Sequence, residues 1–221
     1  MVVNKPVGMA AHTAAGWNGP TVIGALLAAG HQIATSGPRE RIGIVHRLDV
    51  GTSGAMVVAK SELAYRQLQE DFRLRRVEKI YHALVQGYFE PPQGTISAPI
   101  GRHPSRDFKM AVVAGGRPAV THYRTLERLP GVSLLEIQLE TGRTHQIRVH
   151  TQAMGHCLVG DPIYGGNPEL AKKLGLERQW LHAVSLSFTH PVTGKKMTFE
   201  APLSPDLMAA LEKLWALNAG N

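Results

Sequence analysis

Ser133-Leu134-Leu135-Glu136-Ile137-Gln138-Leu139-Glu140 runs directly into Thr141-Gly142-Arg143-Thr144-His145-Gln146-Ile147-Arg148-Val149-His150. In the first eight residues Leu135, Ile137 and Leu139 alternate with Glu136, Gln138 and Glu140, the period of two that a half-buried strand requires. From residue 144 to 154 the apolar spacing lengthens to that of a helix, with Gly155 placed as its C′ residue. Gly142 ends the strand and Thr144 is placed to cap the helix. A strand that turns straight into a helix sets the theme for the rest of the chain.

Outward from this segment the same alternation of short elements repeats. Residues 21–29 read as a helix with Pro20 near its first turn and a stop at Gly30. Residues 55–59 are an apolar run of strand length, and Ser61 is placed to cap a helix carrying Leu63, Gln67 and Phe72. Strands are expected over 79–86 and from Gly94 through Ser97. Val184, Leu186 and Phe188 alternate in one strand, Met197, Phe199 and Ala201 in another, and His190-Pro191-Val192-Thr193-Gly194 joins them as a hairpin. Ser204-Pro205-Asp206 opens a last helix, with Asp206 near the positive end of its dipole. The expectation is an α+β fold, a mixed, mainly antiparallel central sheet flanked by helices, forming one domain over residues 1–221.

Composition narrows the function. The chain has 221 residues, 43% of them hydrophobic, and no apolar run long enough to span a bilayer. Met1-Val2-Val3-Asn4-Lys5-Pro6 has no apolar core of signal-peptide length. The one cysteine, Cys157, forms no internal disulfide and excludes a Cys-x-x-Cys zinc site. These features suggest a cytoplasmic protein without membrane contact. Lys and Arg outnumber Asp and Glu by 24 to 17, a net charge of +7 that suits a polyanionic partner. The cations cluster: Arg143, His145, Arg148, His150 and His156 lie in one stretch without acids, Arg102, Arg106 and Lys109 in a second, and Arg73, Arg75, Arg76 and Lys79 in a third. Contact with RNA or DNA is the stronger reading; three solvated faces are the plain one.

Three segments carry chemistry. The first, Ile44-Val45-His46-Arg47-Leu48-Asp49-Val50-Gly51-Thr52-Ser53-Gly54, is a polar hook between apolar strands, a rigid mount for a carboxylate. Its glycines let another chain come close to the backbone. On physics alone, an Asx-turn role for Asp49 weighs as much as a catalytic one. The second is the strand-to-helix turn, where free N–H groups and cations such as Arg143 meet at a phosphate or carboxylate site. Arg148, on that helix, is placed to turn inward toward Asp49 and keep it ionised; the plain reading is a surface arginine. His145 and His150 stand about 140° apart on a helix and share no face, so a metal site is not expected there. They are read as contacting RNA or capping. The third, Lys79-Ile80-Tyr81-His82-Ala83, aims Tyr81 with Ala83 and Val85 at one face, giving either a stacking surface for a base or an ordinary core tyrosine.

Taken together these segments resemble the RluA-type pseudouridine synthases. The resemblance rests on His46-Arg-Leu-Asp49 with Thr52-Ser-Gly54, on Ala59-Lys60, on Lys79-x-Tyr81 and on Thr141-Gly-Arg-Thr-His-Gln-Ile-Arg-Val-His150. It extends to Asn4-Lys5-Pro6-Val7-Gly8, Gly160-Asp161-Pro162-Ile163-Tyr164-Gly165, Leu181-His182-Ala183 and His190-Pro191, nearly the whole chain. Two departures are that Thr13 follows His12 where many relatives have proline, and that no S4-like RNA-binding domain is expected within these 221 residues. The resemblance implies an isomerase that needs neither cofactor nor metal. It would break the N1–C1′ bond of a uridine in RNA, turn the base and rejoin it through C5. By the same resemblance Asp49 is the catalytic aspartate, Arg148 its basic partner, Ile147 the apolar residue beside that partner and Tyr81 the active-site tyrosine. Arg47 helps displace the nucleotide, and His46, Arg143 and His145 complete the substrate contacts. The expected partner is ribosomal RNA of the large subunit, with transfer RNA as the alternative, and the chain is expected to act as a monomer. A non-catalytic RNA-binding protein and an N-glycosidase are the competing readings.

Overall fold

The computed structural model describes residues 1–13 and 16–219. In chain order these form β1 (Val2–Lys5), α1 (Val22–Ala28), β2 (Ser53–Val57), α2 (Glu62–Arg73), β3 (Glu78–Gln86), β4 (Gln93–Ser97), β5 (Ile100–His103) and β6 (Arg106–Val112). Then follow β7 (Val120–Leu129), β8 (Val132–Leu139), α3 (Gln146–Ala153), α4 (Pro168–Leu174), β9 (Leu181–Thr189), β10 (Lys196–Glu200) and α5 (Pro205–Ala219). The chain divides into two compact units, one of Met1–Lys79 with Ala183–Pro202, the other of Ile80–His182 with Leu203 onward. The fold is α+β with antiparallel strand pairs, as the periodicities predict.

In the first unit β1 lies antiparallel to β2 with Asn4 opposite Ala55 and Lys5 opposite Gly54. Next to β2 comes β9, which β10 joins through the expected hairpin, Phe188 opposite Met197. Leu68, Val57, Leu186 and Phe188 fill the space between α2 and these strands. The Phe188 and Phe199 rings stack at 5.6 Å. Ser61 caps α2 as expected, accepting the N–H of Ala64. Helix α1 departs slightly, because Thr21 accepts the Gly24 N–H and leaves Pro20 outside the first turn.

Gly54 shows why the hook needs a residue without a side chain. Its φ is +116°, and a Cβ there would stand 2.2 Å from the carbonyl oxygen of Ala183. We expect Gly54→Ala to lower stability by about 3 kcal/mol, since the obstacle is backbone in the neighbouring strand. Urea unfolding monitored by circular dichroism measures it, and a loss below about 1 kcal/mol would show that β9 yields easily.

In the second unit the order β3-β8-β7-β4 sets Tyr81 opposite Ile137 and Ile137 opposite Tyr123. β5 and β6 form a separate two-stranded hairpin. Strand β8 is less regular in burial than its pattern, because Ser133 and Leu134 are buried along with Leu135 and Ile137. The reason is covering on both faces: Leu134 packs with Trp180, Leu207, Leu211 and Leu214 of a second core cluster. Ser133 is satisfied there, accepting the Phe89 N–H and donating to the Gly87 carbonyl. Trp180, without exposed surface, donates its indole N–H to the Leu207 carbonyl at the start of α5. Among the described residues no helix is long and apolar enough to cross a membrane.

Candidate active site

The hook of the first unit is held from two sides. Lys5 is fully buried, and its ammonium donates to the carbonyls of Pro6 and Met9, each at 2.8 Å, and of Val50 at 3.5 Å. The Val50 carbonyl also accepts the Gly8 N–H at 3.0 Å, and the Thr52 N–H returns to the Asp49 carbonyl, closing the turn. On the other side the backbone N–H of Val57 donates to Nε2 of His46 at 3.0 Å. A ring nitrogen that accepts a backbone N–H carries no proton, so the imidazole is neutral. Burial, and then the charge of Lys79, lowers its pKa from 6.5 to about 3. The ring stacks on Phe72 at 4.6 Å. Between these anchors Arg47 is exposed and Asp49 half-buried.

In the second unit the strand-to-helix turn is built around Gln146, a residue to which the sequence alone assigns no role. Its carbonyl oxygen accepts the Thr141 hydroxyl at 2.7 Å and the Arg143 N–H at 3.0 Å. Its amide donates to the Val120 carbonyl and the Thr121 hydroxyl. All four bonding positions of a buried amide are thus occupied. Thr144 does not cap α3; the residue at that position is His145, at φ +56° with no side-chain cap bond. Its ring is taken by Tyr164 instead, Nδ1 lying 2.7 Å from the phenol oxygen. At the other end the Gly155 and His156 N–H groups return to the carbonyls of Gln152 and Thr151, closing the helix around the expected C′ glycine.

Helix α3 buries six of its eight residues, so the basic stretch is not a solvated face. Ile147 is buried within it. His150 is fully buried between the Thr121 hydroxyl and the Ala98 carbonyl, and therefore neither contacts RNA nor caps. Arg143 keeps its Nε on the Pro118 carbonyl. Arg148, 4% exposed, points inward as expected, and a carboxylate meeting it is Asp161, which the sequence marks only as part of a motif. The pair is bidentate, Nε to Oδ2 at 2.7 Å and Nη2 to Oδ1 at 2.9 Å. Oδ1 also accepts the N–H groups of Ile163 and Tyr164. Burial pushes the Asp161 carboxyl up, but the Arg148 bonds and charge, aided by those N–H groups, hold it below its ordinary value. The Arg148 guanidinium lies 4.8 Å from the centre of the Tyr164 ring. Tyr81 is buried on the face of β3 it shares with Ala83 and Val85.

Two of the three basic clusters change character in the fold. In the stretch that ends α2, Arg73 pairs with Glu70, Arg76 with Asp71 at 3.6 Å, and Lys79 is buried near the Phe72 ring. The β5–β6 hairpin stays open, with Arg102, Arg106 and Phe108 exposed, Phe108 to 68%.

A buried, hydrogen-bonded arginine at a strand-to-helix turn, a pinned aspartate hook and an open basic hairpin on an α+β frame define a candidate RNA-modifying enzyme. Comparison with known proteins is specific about the class. Residues 1–153 match the family model of RNA pseudouridylate synthase. An RNA pseudouridine synthase of Mycobacterium bovis is 56% identical over 97% of this chain and 70% of its own length. Ribosomal large subunit pseudouridine synthase D of Pseudomonas aeruginosa is 45% identical over 97% of this chain and 68% of its length. Among solved structures, human RNA pseudouridylate synthase domain containing 4 superposes with a TM-score of 0.73 at 28% identity, over 97% of this chain and 89% of that one. The chain belongs to the RNA pseudouridylate synthase family: it is an isomerase whose substrate is RNA. The RluA-type resemblance drawn from its motifs is borne out by relatives that carry the large-subunit name.

Proposed function

We propose that this chain, acting as one catalytic domain, converts a uridine of large-subunit ribosomal RNA to pseudouridine with Asp49 as its catalytic aspartate. The observation that carries the assignment is the double anchoring of the Asp49 hook, by the buried Lys5 ammonium on one side and the neutral His46 ring on the other. Such anchoring suits a group that must meet a reacting atom within a fraction of an ångström. In this reading the N1–C1′ bond breaks, the C5 carbon bonds C1′, the C5 proton leaves and N1 gains one, so the product is an isomer. By the motif resemblance Arg148 is taken as the basic partner of Asp49, a role supported by Asp161, which fixes the plane of the guanidinium. One guanidinium has donors enough for two carboxylates. Tyr81 stacks on the uracil, Ile147 lies beside Arg148, and Arg47, Arg143 and His145 hold the nucleotide, with His46 acting through the hook.

Extracting a base costs a few kcal/mol, which contacts elsewhere on the RNA must offset. The open hairpin suits that role, because Phe108 stands exposed between the cations Arg106 and Lys109 as a base-stacking platform with phosphate partners. The name of the Pseudomonas relative favours ribosomal RNA over transfer RNA.

The test is incubation with large-subunit ribosomal RNA from cells lacking the gene, followed by chemical mapping and assay of free uracil. Pseudouridine at one or a few discrete sites without released uracil is the expected result. Released uracil would assign an N-glycosidase, and bound but unmodified RNA a binding protein. Affinity is expected to fall steeply between about 50 and 200 mM salt, as about one counterion is released per phosphate contact.

A further inference from the structure

Tyr164 is 1% exposed, yet it joins three segments distant in sequence. Its hydroxyl oxygen accepts the backbone N–H of Met110, on β6, at 2.9 Å and lies 2.7 Å from Nδ1 of His145 at the head of α3. Its backbone N–H donates at 3.0 Å to Oδ1 of Asp161, the carboxylate that grips Arg148. Two cations lie near its ring, the Arg148 guanidinium at 4.8 Å and the Lys109 ammonium at 5.6 Å. The ring also packs with Ile100, where the hairpin begins, and with Val149 on α3. One buried side chain therefore touches the backbone of the hairpin, the head of α3 and the arginine within it. A shift of β6 breaks or keeps the Met110 bond, and with it the position of the ring beside Arg148.

We infer that Tyr164 is a positioning residue that couples the β5–β6 hairpin to Arg148, so that RNA seated on the hairpin favours the arrangement of the guanidinium required for reaction. The inference rests on the assignment of Arg148 as the cation of the uridine isomerase. Dense packing makes the link sharp, since a filled core passes displacement on instead of absorbing it.

The decisive variant is Tyr164→Phe, which keeps the ring and the backbone bond to Asp161 and removes only the hydroxyl. Single-turnover pseudouridine formation on large-subunit ribosomal RNA is expected to slow about tenfold while the Kd for RNA stays within about twofold, a split that loss of general stability does not produce. Hydrogen exchange at the Met110 amide is expected to accelerate in the same variant. At saturating RNA, where lost phosphate contacts appear in Kd and not in the single-turnover rate, Lys109→Ala is expected to slow the wild-type reaction several-fold and to add little in the Tyr164→Phe background, because both changes cut one path. A Tyr164→Phe enzyme of wild-type rate, or full multiplication of the two effects in the double variant, would overturn the coupling. The failure of the underlying assignment looks different: the wild-type chain then makes no pseudouridine, or Arg148→Ala retains full activity.

Discussion

Asp49→Asn is expected to abolish pseudouridine formation, by roughly four orders of magnitude or more, while RNA binding stays within a few-fold. The substitution replaces one carboxylate oxygen by an amide nitrogen of nearly the same size, so the hook keeps its shape. Its anchors lie elsewhere: the Thr52 N–H reaches the backbone carbonyl of residue 49, Lys5 the carbonyl of Val50, and Val57 the His46 ring. What disappears is the negative charge, and with it any capacity to attack carbon or accept a proton. Binding is expected to persist because phosphate contacts supply most of the affinity for RNA. Rates from single-turnover assays and Kd values from filter binding give the two quantities separately. Substantial activity in Asp49→Asn would remove the aspartate from the chemistry and return it to the role of an Asx-turn residue.

The second large effect is on stability. Asp161→Ala leaves the Arg148 guanidinium 4% exposed and without the carboxylate that meets it through two donors. Removing one partner of a buried ion pair costs about 3–5 kcal/mol, so unfolding in urea is expected to shift by that amount. Asp161→Asn keeps the shape and loses the charge, and its cost is expected near about 1–3 kcal/mol. The pH dependence has a definite sign. The folded pKa of Asp161 lies below that of the unfolded chain, so its stabilisation is present above the ordinary carboxylate range and is lost as the pH falls through the folded value. The gap between wild type and Asp161→Asn is therefore expected to be flat near neutrality and to close in acid. His46 adds a separate acid loss common to both proteins: with a folded pKa of about 3 against 6.5, the unfolded chain takes up the proton first. A gap that stays constant from neutrality into the acid range would show that Arg148 does not depend on the charge of residue 161.

The strand-to-helix segment is legible in the sequence because its two periods, two and then helical, are local properties of the chain. Ser61, Gly155 and the hairpin at residues 190–194 are legible for the same reason: caps and turns are decided by neighbours in sequence. What escapes a reading of the sequence shares another cause, contact between distant segments. Thr144 is a good cap by type, but the phenol of Tyr164 takes the His145 ring and leaves His145 at the cap position in a left-handed conformation. For Arg148 the motifs point to an aspartate in another segment, and the carboxylate of Asp161, thirteen residues further along, goes unnoticed. A signal exists, since Asp161 is the first acid after Glu140 and sits before a proline, where a carboxylate can accept N–H groups two and three residues on. The cationic stretch misleads because Arg148 and His150 are occupied inside the protein. Charge counted along a sequence does not distinguish a buried cation from one that meets solvent.

Neither unit is continuous in the chain, and this bears on how the protein is made. Strand β2 waits for β9, and the cluster around Leu84 and Trp180 waits for the leucines of α5. A ribosome that has reached residue 182 has released most of the strands but closed neither core, so both units mature together, late, and by contacts distant in sequence. Until then the nascent sheets carry open edges, which makes the interval before β9 and α5 emerge the period of greatest exposure to misassembly.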